Sequence, residues 1–503
     1  MALSGAEGDR RHERPRLRDP GVRRRLALAA LVFVLSLPAV TTRIYASDEI
    51  QYFAFLRSYW FDRDLSFDNE YRHFFDRGIA VSYGFHETFL ERTTSTGLRV
   101  NFGTIGSAML WAPFYGAADL VQVVRQKLGA PAVRDGYSQP YIAAVCYASA
   151  FYGFLALVMA CVIACEIVRT IPEAVRIHAS KTAVAATAAV AVSTPLVFYM
   201  YVAPVMAHAC SAFAVALFVL VWLKVRRRWS AGGLAVLGAT AALMAMVREQ
   251  DAFFAVGPAT DFAVALARSL RRGGLPTSAG TSPYGSLRLV AHAIAGGAAF
   301  AFAFTPQALA YLALNGRIGP SQLVDRKMTW SSPHALQVLF SPEHGLFFWT
   351  PVALLAIAGL VWLALRRQNP ADTRLLALLL ALMIAAQIYV AGSVESWKVA
   401  GAFGQRRFIG TTAILVVGLS VLFLTFAAAP RRARVSLVLA LALCGWWNVA
   451  LMLQFGAGMM DRQRLQLREN AWNAFVVVPG KLPRLAYTYL FDRASFYKKP
   501  SGQ

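Results

Sequence analysis

The sequence predicts an all-α polytopic membrane fold, and three observations predict it. Hydrophobic residues make up 57% of the 503-residue chain and charged residues only 15%, where soluble domains carry roughly a quarter charged. Mean hydropathy is +0.48. The apolar residues are also gathered into runs of bilayer length, separated by short basic clusters. A helix satisfies its backbone groups internally, so about 20 apolar residues cross the hydrocarbon without exposing an unpaired amide.

Residues 1–24 read as a basic cytoplasmic arm. Runs of sufficient length then follow at 25–42, 103–124, 140–168, 182–200, 205–223, 231–247, 252–267, 289–313, 345–365, 373–392, 408–428 and 435–457. This gives about eleven to thirteen spans within 25–458, with a short C-terminal tail, 459–503, on the external side. The first run lacks a small-residue cleavage site and reads as a retained anchor.

A net charge of +23 raises the question of nucleic acid, but Lys and Arg fall between spans and not on one folded face. The positive-inside rule accounts for them. It places Arg10 to Arg25, Lys224 to Arg228, Arg268 to Arg272, Arg366-Arg367 and Arg431 to Arg434 in the cytoplasm. Loops 43–100, 195–208, 248–251, 315–344 and 393–407 then share the opposite face. One inconsistency follows, because Arg169, Arg176 and Lys181 look cytoplasmic yet lie an odd number of candidate spans from the N-terminus. Either 103–124, interrupted by Pro113, is re-entrant, or a further weak crossing lies near 125–145.

Cys146, Cys161, Cys165, Cys210 and Cys444 all sit in apolar spans without CxxC or metal-ligand spacing, so they define neither a disulfide framework nor a zinc site. The Gly/Ser/Thr/Pro-rich stretch Gly273 to Ser286 reads as a cytoplasmic loop.

Loop 43–100 is the largest hydrophilic piece and carries Asp48, Glu49, Asp62, Asp64, Asp68, Glu70, Asp76, Glu87 and Glu91. Residues 48–60 read as an amphipathic interfacial helix, with Tyr52, Phe53, Leu56, Tyr59 and Trp60 at headgroup level. Two roles are open to Asp48-Glu49. Acids after Ser47 stabilise the first helical turn, and a carboxylate at the membrane edge can accept the proton of an acceptor hydroxyl or amine. Asp62-x-Asp64 has the spacing of a weak divalent-cation site; no other metal ligand set or cofactor motif is present.

The pattern Asp48-Glu49-x-x-Tyr52 after the first span resembles the acidic motif in the first external loop of GT-C glycosyltransferases, the group including protein O-mannosyltransferases, the aminoarabinose transferase of lipid A and oligosaccharyltransferase. Bacterial members are similar in further stretches, in order: Trp60-Phe61-Asp62-Arg63-Asp64-Leu65; Asn101-Phe102-Gly103-Thr104-Ile105-Gly106 with Leu110-Trp111-Ala112-Pro113; and Met246-Val247-Arg248-Glu249-Gln250. Leu339 to Phe347, Trp349-Thr350-Pro351 and Phe403-Gly404-Gln405-Arg406-Arg407-Phe408 complete the set. The resemblance implies transfer of a sugar from a polyprenyl-phosphate carrier to a glycan, lipid or protein acceptor at the outer face of a bacterial cytoplasmic membrane. It assigns the acidic-loop role to Asp48, with Glu49 in support. Large soluble insertions found in some members are absent, which leaves the acceptor open.

A leaving phosphate needs cations, and guanidinium groups hold it in bidentate fashion. Arg406-Arg407 answers that need, the other reading being a structural pair or an inverted topology. Arg248, with Glu249 and Asp251, forms a second charge cluster that is either functional or a self-neutralised turn. His208 is open to a substrate contact or a structural hydrogen bond. His344, with Glu343, and Glu395 and Trp397, with Lys398, are candidates for a cleft in which aromatic faces stack on sugars and carboxylates orient hydroxyls. The competing function is a transporter or flippase of a lipid-linked saccharide; repeated halves and midplane charges would mark it, whereas here the charges concentrate in external loops.

Overall fold

The computed structural model describes residues 20–171, 179–271, 275–277, 280–282, 285–399, 401–493 and 495. Most of the basic arm 1–24, Arg176, much of the 273–286 stretch and the end of the tail lie outside these residues. The principal helices are α1 (Pro20–Ser36), α2 (Ser47–Arg57), α3 (Asp68–Asp76), α4 (Gly106–Lys127), α5 (Gln139–Val168), α6 (Ala179–Ser193), α7 (His208–Val225), α8 (Ala231–Val247), α9 (Val256–Arg271), α10 (Gly285–Asn315), α11 (Val352–Leu365), α12 (Ala371–Ser393), α13 (Thr412–Ala427), α14 (Arg431–Gly456) and α15 (Val478–Phe491). One antiparallel pairing of Leu275–Thr277 with Gly280–Ser282 interrupts this all-helical architecture. Local chemistry sets the helix starts. Ser230 caps α8 by accepting from the Gly233 amide at 3.2 Å, and Pro370 and Pro430 precede α12 and α14, where a missing N–H costs nothing.

Among the described residues, seven helices are long and apolar enough to cross a membrane: Gln139–Val168, His208–Val225, Glu249–Arg271, Gly285–Asn315, Ala371–Ser393, Arg406–Ala427 and Arg431–Gly456. Four shorter apolar helices, Ala27–Ala39, Ala179–Ser193, Ala231–Val247 and Val352–Leu365, accompany them. The protein is a polytopic helical membrane protein. Every predicted run except 103–124 falls on one of these helices.

The exception explains the inconsistency in the basic clusters. Both ends of α4 are held at the end of the bundle that carries loop 43–100. At its start, the Thr104 hydroxyl donates to the Val247 carbonyl at 2.8 Å and the Ile105 amide to Gln307 at 2.9 Å. Near its finish, Asp119 is bound by Arg134 at 2.8 Å, by Tyr141 at 2.7 Å and by Trp60 at 3.1 Å. Trp111 donates to Ser149 and Tyr152 to the Leu110 carbonyl, so α4 reaches the middle of α5 and no deeper. No extra crossing is needed at 125–145, because Gly136 and Asp135 are tied to Tyr115 and Arg57 at the same end.

With α4 not crossing, the basic clusters gather at the opposite end. Arg226 pairs with Asp261 and with Asp372, each at 2.7 Å, Arg227 with Glu166 at 3.5 Å, and Thr373 donates to Thr170 at 2.8 Å. These contacts tie the ends of α5, α7, α9 and α12 together. A buried ion pair of this kind resists loss of either partner more than it adds net stability.

Loop 43–100 is a folded cap and not an interfacial arm. Phe53, Phe55, Phe67, Tyr71 and Phe74 are fully buried in it; Phe53 meets Phe74 edge-on at 5.9 Å, and the Tyr71 hydroxyl donates to the Val100 carbonyl at 2.9 Å. Arg57 pairs with Glu70 at 3.0 Å and with Asp62, and lies 4.4 Å over the Tyr137 ring. The expected headgroup face of α2 is corrected accordingly: Phe53 and Leu56 are buried, Tyr52 and Trp60 half-buried, and Tyr59 alone of the five is exposed.

The tail packs at this same end. Leu465 N–H donates to the Pro342 carbonyl, Trp446 to the Ala474 carbonyl, and the Tyr489 hydroxyl to the Ala39 carbonyl.

Candidate functional site

Asp48 and Glu49 are neighbours with different surroundings. Ala46 precedes α2 in extended conformation, and Glu49 turns back so that Oε2 accepts from the Tyr45 amide at 2.9 Å and the Ala46 amide at 3.1 Å. This satisfies the N-cap amide and the one before it, the part a glutamate plays in a capping box. Glu49 is fully buried and its Oε1 has no partner. Burial pushes its carboxyl up to about 8, the two amides and nearby Asp48 being lesser influences. Asp48, one position earlier on the turn, is half-buried and reaches across the bundle to Arg406, Oδ2 to guanidinium 2.8 Å. Capping and charge pairing are thus divided between the two acids.

Arg406 belongs to a cationic cluster drawn from two loops. Arg248, just after α8, donates to the Arg406 carbonyl at 3.5 Å and to Gln250 at 3.1 Å. Arg407 donates to Gln250 at 3.4 Å and to Ser396 at 3.2 Å, while its buried Nε is unpartnered. Gln250 locks the two loops by donating to the Arg407 carbonyl at 2.8 Å. The acids predicted to neutralise Arg248 are engaged elsewhere: Glu249 accepts from Tyr311, and Asp251 from Ser211 at 2.6 Å. Among the described residues neither acid lies within salt-bridge distance of Arg248, although the Arg248 charge still reaches Asp251. Three guanidinium groups meet with one paired carboxylate, Asp48, and the excess positive charge in a half-buried setting favours an anion.

Aromatic and imidazole groups border the cluster. The Tyr52 ring packs against Gly103, and its hydroxyl is held above the usual phenol range by burial, with Arg248 opposing and Asp48 adding. His208 is buried edge-on to Tyr199 at 4.4 Å, its Nδ1 without a partner, within electrostatic reach of Arg248, Arg406 and Arg407.

Other predicted residues support this arrangement from behind. His344 is fully buried with a positive φ of 67°, donates from Nε2 to the Ala402 carbonyl at 2.8 Å, and stacks on Trp349 at 4.8 Å. Burial pulls its imidazole down to about 4. Trp397 is buried against the His334 ring at 5.7 Å, and Glu395 is exposed, its amide donating to the Lys327 carbonyl. Tyr52 and His208 therefore lie beside the arginine cluster, while His344 and Trp397 brace the 393–407 loop. Gln405, which the sequence did not single out as a site residue, performs the bracing by donating to the carbonyls of His344 and Trp397. Gly404 precedes it at φ 63° against Pro195, a conformation and a space suited to glycine.

Asp62 and Asp64 serve separate turns. Asp62 accepts from Arg57 and from Asn69, and Asp64 from the Ser58 hydroxyl at 2.7 Å and the Ser66 amide at 3.1 Å.

Motifs separated by hundreds of residues thus meet at one end. Asn101 and Phe102 are tied to α2 through Gln51, whose Oε1 accepts from the Phe102 amide at 2.8 Å. Gly106 lies against the Met246–Val247 backbone so closely that a Cβ would come within 2.4 Å. Beside Asp48, this packing leaves a cavity of about 310 Å³ whose walls come from α2, the 86–92 segment, Phe102 and the 321–327 loop. No protein-family model matches the chain, and no curated protein matches it at a significant level.

Proposed function

We propose that the protein is a glycosyltransferase that moves a sugar from a polyprenyl-phosphate carrier to an acceptor at the outer face of a bacterial cytoplasmic membrane. The observation that carries this reading is Asp48 held 2.8 Å from Arg406 where Arg248 and Arg407 converge. A basic carboxylate beside a surplus of guanidinium charge, between apolar helices, suits a reaction in which a hydroxyl loses a proton while a lipid-borne phosphate leaves. The guanidinium groups would take the phosphate oxygens, with Tyr52 and His208 bordering the reacting carbon. The phosphate competes with Asp48 for Arg406, so donor binding would free the carboxylate for the acceptor. The resemblance to GT-C enzymes in the order of motifs supports the same reading, as do polar groups concentrated at the acid-loop end.

Asp48→Asn tests it. The substitution keeps size and hydrogen-bonding capacity but removes basicity, so transfer from a synthetic polyprenyl-phosphate sugar should fall on the order of 10²-fold or more, with membrane insertion near wild type. Near-normal turnover would remove Asp48 from the mechanism and favour transport of a lipid-linked saccharide without transfer.

A further inference from the structure

We infer that the cavity beside Asp48 is the acceptor site and that it takes a saccharide, an inference that rests on the transfer reaction proposed above. Asp48 is the one residue common to the arginine cluster and this cavity. One wall is the first turn of α2, with Ser47, Asp48 and Gln51; Thr88 and Arg92 stand on another. The apolar side is formed by Phe89 and Phe102, rings edge-on at 5.8 Å, with the Lys327 ammonium 5.7 Å from the Phe102 ring centre. Hydroxyl and carboxylate groups facing an aromatic surface match a sugar ring, which presents hydroxyls at its edge and C–H groups on its face.

The other two acceptor classes fit less well. An extended peptide gains affinity from free backbone donors and acceptors on the receiving wall. Here the Phe102 amide is taken by Gln51 and the Gly103 amide by Asn101, both at 2.8 Å. A lipid tail needs a continuous apolar slot, and most of this lining is polar. In the reaction the saccharide hydroxyl oxygen bonds to the anomeric carbon of the donor sugar and its proton passes to Asp48. The bond from that carbon to the phosphate oxygen breaks, and polyprenyl monophosphate leaves with the electron pair.

The test uses the full-length protein in lipid nanodiscs with a labelled panel of polyprenyl-phosphate hexoses and pentoses. Sugar release to water is measured beside transfer to free mono- and disaccharides, to Ser/Thr peptides and to lipid hydroxyls. Thr88→Val and Phe102→Leu should raise the acceptor KM for saccharides by roughly tenfold or more and leave release to water within about twofold of wild type, since neither residue touches the arginine cluster. Transfer confined to peptides or lipids, unchanged saccharide KM in both variants, or equal loss of release and transfer would overturn the inference while leaving the transferase reading in place. A wild-type protein that neither releases nor transfers any sugar would overturn both.

Discussion

Glu49→Gln should separate the two acids at the start of α2 without any knowledge of the substrate. In the fold the Glu49 carboxyl is raised from 4.5 to about 8, and the cause is complete burial with one oxygen unpartnered. Because the folded value lies above the unfolded one, the protonated side chain is the form that fits. Its contribution is fully present below about pH 4.5 and is lost as pH rises towards and through 8. At about 1.4 kcal/mol for each tenfold change in proton affinity, the ionised form is disfavoured by on the order of 3–5 kcal/mol. Glutamine keeps an oxygen for the Tyr45 and Ala46 amides and cannot ionise. Thermal unfolding in detergent, followed by tryptophan fluorescence between pH 4 and 9, should therefore show the wild type losing apparent Tm with rising pH and the variant nearly flat. The curves should meet at the acid end, with Glu49→Gln the more stable protein at pH 9. Parallel curves, or a variant less stable at pH 9, would mean that the carboxylate caps the helix as an anion and would refute the burial argument.

The remaining predictions concern the cationic cluster and the two ends of the bundle. Arg407→Ala should raise the KM for a polyprenyl-phosphate sugar by roughly ten- to a hundredfold, the usual worth of one charge-assisted contact; an unchanged KM in a transfer assay would assign Arg407 to bracing Ser396 and Gln250. In a cysteine-free background, Ser66→Cys and Ser332→Cys should react alike with an impermeant maleimide applied to whole cells, and Gln368→Cys should react only after permeabilisation. Labelling of the first two from opposite sides would break the common end on which the site depends.

The class of the protein and most of its spans were legible in the sequence because hydropathy is a local property: a run of apolar residues must be helical in hydrocarbon whatever lies beside it. The sorting of Arg226, Arg366 and Arg431 from Asp48, Arg248 and Arg406 to opposite ends was legible through the positive-inside rule, whereas counting spans alone left Arg169 and Lys181 on the wrong side. Which way a given side chain faces is a different matter, because it depends on partners far along the chain. Length makes α4 a candidate crossing, although Pro113 and Asp119 leave it less apolar than α5; Asp119 held by Arg134 and Tyr141, with Trp111 stopped at Ser149, keeps both of its ends together. Adjacent carboxylates look equivalent in sequence, yet the turn of α2 buries Glu49 under two amides and sends Asp48 to Arg406. His344 and Trp397 read as cleft residues by type, and ring stacking against Trp349 and His334 places them beneath the loop. Arg248 reads as one of a charged triplet, and only tertiary packing, by giving Glu249 to Tyr311 and Asp251 to Ser211, leaves its guanidinium with Arg406 and Arg407.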